Sequence, residues 1–142
     1  MKVCELMSNQ VMSVGPAEPV TAAARLLKNG NVGVLPVCDL GGKLRGIVTD
    51  RDIVTRCVAA GRDPAGVTVG EIMSRGVLTV SPLEEVDRAA GQMKSEQVRR
   101  LPVVSEGRLV GVLSLCDLAR DANCEMEAAE ALSEISSNFR RK

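Results

Sequence analysis

The chain repeats itself. One shift lays Met7-Ser8 on Met73-Ser74, Val11 on Val77, Val14 on Val80, Pro16 on Pro82, Glu18 on Glu84 and Val20 on Val86. The same shift continues without a gap through Ala23-Ala24 on Ala89-Ala90, Lys28 on Lys94 and Leu35-Pro36-Val37 on Leu101-Pro102-Val103. After one extra residue in the Gly41-Gly42 turn, Leu44, Gly46 and Asp52 fall on Leu109, Gly111 and Asp117. Such a register means that one supersecondary unit is built twice, and this decides the architecture before any element is assigned.

Each unit reads as β-α-β-β-α. A short segment around Val11 to Val14 leads into a helix whose apolar stripe is Val20, Ala23, Ala24 and Leu27, with Pro19 marking its first turn. Val32 to Val37 is β-branched and apolar enough for a buried strand, Gly41-Gly42 is a hairpin turn and Leu44 to Val48 is the returning strand. A second helix runs from about Asp50 to Ala60, and Gly61 stops it. The second unit gives strands Val98 to Val104 and Leu109 to Leu113, a turn at Glu106-Gly107 and a helix from about Leu115. The expected division is residues 1–61 for the first repeat, 62–68 for a linker containing Pro64 and Gly66, 69–120 for the second repeat and 121–142 for a helical tail. A unit of roughly 50 residues exposes a sheet face that it cannot cover alone. The expected fold is therefore α/β in the α+β sense: two tandem repeats packed sheet to sheet with pseudo-two-fold symmetry, a ligand cleft between them and a C-terminal amphipathic helix.

Composition narrows the function. Lys plus Arg and Asp plus Glu balance at 18 each, so no overall field holds the chain against nucleic acid or an anionic membrane, and neither is an expected partner. Phe139 is the only aromatic residue, which leaves aliphatic side chains to sandwich any planar ligand. Histidine is absent, and with it the usual acid/base catalyst, the serine-type triad, the His zinc ligand and the His pH sensor. The five cysteines (Cys4, Cys38, Cys57, Cys116, Cys124) are odd in number and contain no C-x-x-C pair. They read as reduced thiols used as small apolar residues rather than as a disulfide framework or metal site; a redox role for Cys116 or Cys124 is the weaker reading. With no long apolar region at the start and no run of about 18 apolar residues, the expected location is the cytoplasm.

Both units carry one pattern at the strand-to-helix junction: Gly46-Ile47-Val48-Thr49-Asp50-Arg51-Asp52 and Gly111-Val112-Leu113-Ser114-Leu115-Cys116-Asp117. The shared form is G-h-h-[ST]-x-x-D. A hydroxyl at the helix start and a carboxylate three residues later lie on one side of the first turn, beside amides that favour anions. A sugar diol can bridge to the Asp while a phosphate takes the hydroxyl, and the Gly clears the ligand's approach. The same [ST]-x-x-[DE] spacing is also a capping box that merely satisfies orphan amides. Recurrence at matching sites, each with its Gly on the preceding strand, favours the ligand.

With these junctions, and with Val34-Leu35-Pro36-Val37 and Arg99-Arg100-Leu101-Pro102-Val103, the chain resembles the CBS-domain family, in particular the small bacterial proteins that consist of little beyond one CBS pair, or Bateman module. The similarity spans roughly residues 3 to 120. It implies binding of AMP, ADP, ATP or another adenosyl compound as a regulatory ligand, with no further cofactor required. It assigns Asp52 and Asp117 to the ribose hydroxyls, Thr49 and Ser114 to the phosphate region, and the neighbourhoods of Val14, Val34 to Pro36, Val80 and Pro102 to adenine. Gly46, Gly111 and Arg51 complete the candidate set, Arg51 standing where the second unit has Cys116. Family members often place a basic residue before the Leu-Pro to meet phosphates, which matches Arg99 and Arg100, whereas the first unit has Gly33 and Val34 there, so the two sites are not equivalent. Strand alternation points the two arginines to opposite faces, and Arg100 is expected to serve the ligand.

In the tail, Ala128, Ala131, Leu132, Ile135 and Phe139 recur at helical spacing and predict an amphipathic helix. Its stripe has three candidate covers: its own globule, a dimer partner or an unidentified protein. The resemblance implies a disc-like homodimer. The leading expectation is a non-enzymatic sensor of nucleotide or energy state. The alternative is an interaction scaffold whose junction motifs are only caps, with degenerate, unoccupied sites. Catalysis is not expected, because the cleft would offer two carboxylates and hydroxyls but no His, no cysteine paired with a base and no recognisable metal cluster.

Overall fold

The computed structural model describes residues 1–121 and 125–140. It is a mixed helix and strand fold in which the repeat is built twice, with two small sheets. β1 (Val34–Cys38) and β2 (Leu44–Thr49) form an antiparallel hairpin with Val34 opposite Thr49 and Pro36 opposite Ile47. β3 (Arg100–Ser105) and β4 (Arg108–Ser114) form the second. Its turn, Glu106-Gly107, has positive φ at both residues, 53° and 79°, as a right-twisted two-residue hairpin requires. β1 and β3 each begin two residues later than the apolar runs suggest, β2 begins at Leu44 as expected and β4 one residue earlier.

Single bridges extend each hairpin on both sides, and they explain how the chain is partitioned. Val14 lies parallel to β1, donating to the Pro36 carbonyl (3.1 Å) and accepting from Cys38 N–H (3.0 Å); Val80 is placed likewise on β3, beside Val103. On the far side, Ser74 exchanges two bonds with Ile47 of β2 (2.9 and 2.8 Å), and Ser8 exchanges two with Val112 of β4 (3.0 and 3.1 Å). The segment before each repeat therefore pairs with the sheet of the other repeat. One compact unit accordingly holds Met12–Val77 with Gly107–Leu109; the other holds Met1–Val11 and Leu78–Glu106 with the chain from Val110 onward. The sequence boundaries at 61 and 69 mark the period of the repeat, whereas these units follow the exchanged segments.

Each unit has its own core. In the first-repeat unit α2 (Val20–Gly30) buries Val20, Ala23 and Leu27 against Leu35, Val37 and Val48. In the second-repeat unit α5 (Val86–Glu96) buries Val86, Ala89, Ala90 and Met93 with Leu101, Val103 and Leu113. Both helices stop in the left-handed region, at Asn31 and Gln97. Short turns α1 (Val3–Leu6) and α4 (Val69–Ile72) plug buried Val3 and Val69 into these cores.

After β2 the structure departs from expectation. Only α3 (Asp50–Asp52) is α-helical; Ile53–Val58 winds as a π-helix, with Ala59 N–H on the Val54 carbonyl (2.7 Å) and Arg62 N–H on that of Cys57 (3.0 Å). The wider winding keeps Cys57 in the core and leaves Val54 and Val58 in solvent. The counterpart α6 (Leu115–Ala119) is a short α-helix. α7 (Glu125–Arg140) packs on α5 and α6, and Ala128, Ala131 and Ile135 join that unit's core, so these three are covered by their own globule. Leu132 is corrected: it is 46% exposed, because the buried face follows Ala128, Ala131 and Ile135 and turns Leu132 outward. The Phe139 side chain and Cys124 lie outside the described residues.

In the first turn of α4, Glu71 accepts the Thr68 N–H (2.7 Å) and pairs with Arg62 (2.8 Å). The backbone bond from Thr68, then the bonds from Arg62 and the Thr68 hydroxyl, lower its pKa from 4.5 to about 2. A depressed folded-state pKa gives stability that is complete above the unfolded value and lost as pH falls through the folded one. Chemical unfolding followed from about pH 5 to about pH 2 is therefore expected to fall less steeply in Glu71→Gln than in the parent chain. Equal slopes would remove Glu71 from the acid response.

Candidate functional site

The candidate site residues gather at one corner in each unit, where a strand runs into a short helix. In the first-repeat unit, Thr49 closes β2 in an extended conformation. Its Oγ1 accepts the Asp52 N–H and its N–H donates to Asp52 Oδ2, both at 3.0 Å. Asp52 is 9% exposed, and its other oxygen, Oδ1, lies 3.8 Å from Arg56 Nε, beyond hydrogen-bond reach. Arg56 is held elsewhere, donating through Nη1 to the Ile72 carbonyl at 2.9 Å. Asp50 N–H donates to the Gly33 carbonyl (3.0 Å), and its carboxylate stands over Gly33, 3.4 Å from where a β-carbon would sit. Arg51 is exposed.

In the second-repeat unit the same box forms: Ser114 Oγ accepts the Asp117 N–H (3.1 Å), and Ser114 N–H donates to Asp117 Oδ2 (2.8 Å). Here Oδ1 is engaged, accepting from Arg120 Nη2 at 2.8 Å. That arginine also donates through Nε to the Cys116 carbonyl (3.1 Å), yet its side chain is 74% exposed. Leu115 N–H donates to the Arg99 carbonyl (2.9 Å), which fixes the start of β3 beside the corner. Arg99 and Arg100 are both exposed, and neither forms an ion pair among the described residues.

Both motifs are thus capping boxes, and each keeps a second carboxylate oxygen outside the box. Two further expectations are redrawn. Gly46 and Gly111 do not clear space for a ligand: a β-carbon on Gly46 would lie 2.5 Å from the Ser74 carbonyl oxygen, and one on Gly111 2.8 Å from that of Ser8. The glycines exist because a neighbouring backbone crosses there. The side chains of Val14 and Val80, 2% and 4% exposed, belong to the two cores, and their backbone groups bond β1 and β3. Pro36 is buried, Val34 and Pro102 half-buried. Sequence reading missed Asp50, Arg56 and Arg120. The last two follow their aspartates by four and three residues, and helical spacing is the signal that finds them.

The described cysteines are dispersed: Cys57 is buried, Cys4 and Cys116 exposed, and burial pushes the Cys38 thiol pKa up. Among the described residues no group of three or more His, Cys, Asp or Glu could hold a metal ion. None of the helices described is long and apolar enough to cross a membrane.

Comparison with known proteins places this arrangement. The family model of the CBS domain matches residues 3–59 and again 69–122. The chain is 40% identical over 134 residues to the CBS domain-containing protein YhcV of Bacillus subtilis, covering 94% of each. Its fold is similar to the crystal structure of Hypoxic Response Protein I with two coordinated zinc ions: TM-score 0.77, 38% identity, 84% of this chain and 98% of that one. It is also similar to the CBS domain pair of protein MJ0100 in complex with 5′-methylthioadenosine and S-adenosyl-L-methionine: TM-score 0.72, 31% identity, 84% of this chain and 94% of that one.

Proposed function

The chain belongs to the CBS domain family as a tandem pair, and from that premise we propose that it is a non-enzymatic regulatory module that binds an adenosine-containing ligand at its strand-to-helix corners. The observation that carries the reading is the preformed box in each unit. It holds a Thr or Ser hydroxyl and an Asp carboxylate in fixed register and leaves one carboxylate oxygen outside the box, Asp52 Oδ1 and Asp117 Oδ1. A carboxylate locked in this way can accept both hydroxyls of a ribose without reorganising. The complex of the MJ0100 pair with two adenosyl compounds supports the class of ligand. The reading includes a homodimer in the cytoplasm that reports nucleotide state to a partner protein and needs no other cofactor. It assigns Pro36, Val34 and Pro102 to the apolar wall and Arg51, Arg99 and Arg100 to the polar end of the ligand.

A second reading has its own support. Both boxes already satisfy their orphan amides, as a scaffold with empty sites would require.

Titration calorimetry against AMP, ADP, ATP, NAD and S-adenosylmethionine separates the two. Asp52→Asn and Asp117→Asn keep the side-chain acceptor for the cap and remove the charge. Saturable binding of at least one compound, weakened about tenfold in one of these variants, is the expected result. A folded chain that binds none of the five supports the scaffold instead.

A further inference from the structure

We propose that the two corners sort adenosyl ligands by charge: the Ser114–Asp117 corner takes a phosphorylated ligand, and the Thr49–Asp52 corner takes a neutral or cationic one. This rests on the binding reading above and adds the ligand class of each half.

The argument is the difference between two otherwise matching corners. At Thr49, two carboxylates fall within one turn. Asp50 is tied by its N–H to the Gly33 carbonyl, and its carboxylate fills the space that glycine leaves, 3.4 Å from a β-carbon position there. The Asp50 carboxylate also accepts the Arg51 N–H (2.8 Å), which fixes it in place. Of the nearby cations, Arg56 is committed to the Ile72 carbonyl and to the side of Asp52, and exposed Arg51 balances only one of the two carboxylates. A phosphate placed here meets a fixed negative charge, whereas a methylthio group meets none and a sulfonium is attracted.

At Ser114 the balance of charge is different. The residue matching Asp50 is Leu115, which is buried. The residues matching Gly33 and Val34 are Arg99 and Arg100, exposed and without ion pairs among the described residues, with the Arg99 carbonyl bonded to the Leu115 amide. Arg120 pairs with Oδ1 of Asp117 and donates to the Cys116 carbonyl, so the one carboxylate of this corner already has its cation, and Arg99 and Arg100 are left without one among the described residues. A corner with one paired carboxylate and two exposed arginines where its strand begins suits a phosphate ester.

The test uses two ligands that share adenosine and differ in the 5′ group: AMP and 5′-methylthioadenosine. Calorimetry of the parent chain is expected to show one AMP per chain, with 5′-methylthioadenosine still binding to AMP-saturated protein. In Arg99→Gln/Arg100→Gln the ratio of AMP affinity to 5′-methylthioadenosine affinity is expected to fall at least tenfold. In Asp50→Asn the AMP stoichiometry is expected to rise from one toward two. All three positions are exposed, so folding is preserved, and the unfolding midpoint checks it. Two equivalent AMP sites in the parent chain, or an unchanged affinity ratio in the double variant, overturns the sorting while leaving adenosyl binding intact. Failure of both ligands to bind the folded chain overturns the sorting, and the binding reading falls with it when ADP, ATP, NAD and S-adenosylmethionine fail as well.

Discussion

Replacing Gly46 with alanine is expected to lower the stability of the chain by about 2 kcal/mol or more in urea unfolding, within the range measured for overpacked sites. The added carbon would lie 2.5 Å from the Ser74 carbonyl oxygen and 3.0 Å from the Met73 sulfur. That carbonyl cannot retreat cheaply, because it accepts the Ile47 N–H, and Ser74 N–H returns the bond to Ile47. Relief would break the bridge that ties residues 73 and 74 to β2. Gly111→Ala is expected to cost less. Its nearest obstacle is the Met7 sulfur at 2.7 Å, on a side chain that can swing, although the Ser8 carbonyl at 2.8 Å remains fixed by Val112. Gly76, with nothing within 4 Å of its β-carbon position, is the control and should stay within about 0.5 kcal/mol. A Gly46→Ala chain as stable as the control would return the glycine to the role the sequence suggested, clearance for a ligand.

These glycines show where the sequence is legible and where it stops. The repeat, the two hairpins and the helices from Val20 and Val86 follow from local periodicity, since each buries one stripe whose spacing is written in neighbouring residues. The exchange of Met7-Ser8 and Met73-Ser74 between sheets is a pairing across distant segments, and no local pattern encodes it. Gly46 and Gly111 are its trace, but a glycine records only that something comes close, not what. The junction motif was legible as chemistry and ambiguous as role, because a capping box and a ribose-binding carboxylate need the same spacing. Asp50 went unread for a different reason. It lies inside the first motif at a position that the second motif fills with Leu115, and the placing of its carboxylate over Gly33 adds to the charge difference that Arg99 and Arg100 already signal in the sequence. The π-helical turn at Ile53–Val58 had no signal either: the segment is rich in β-branched residues but holds no Gly or Pro that would mark a change of winding.

The tail gives the other large effect. Ala131→Asp is expected to destabilise the second-repeat unit by about 3 kcal/mol or more, whereas Leu132→Asp should change stability by less than about 1 kcal/mol. The two positions are adjacent on α7, so the helix-propensity cost of aspartate is nearly the same at both. What differs is burial. Ala131 is 0% exposed and belongs to the cluster that includes Met93, Leu113 and Leu118, with no charge among its members. An aspartate there must desolvate a carboxylate without a partner, or pull α7 away from α5 and α6 and uncover Ala128 and Ile135. At Leu132, already 46% exposed, the same carboxylate stays in water. Comparing the two variants by urea unfolding therefore isolates the packing of the tail. Equal and small effects would detach α7 from its own globule and make its stripe the surface that a second copy or a partner protein covers.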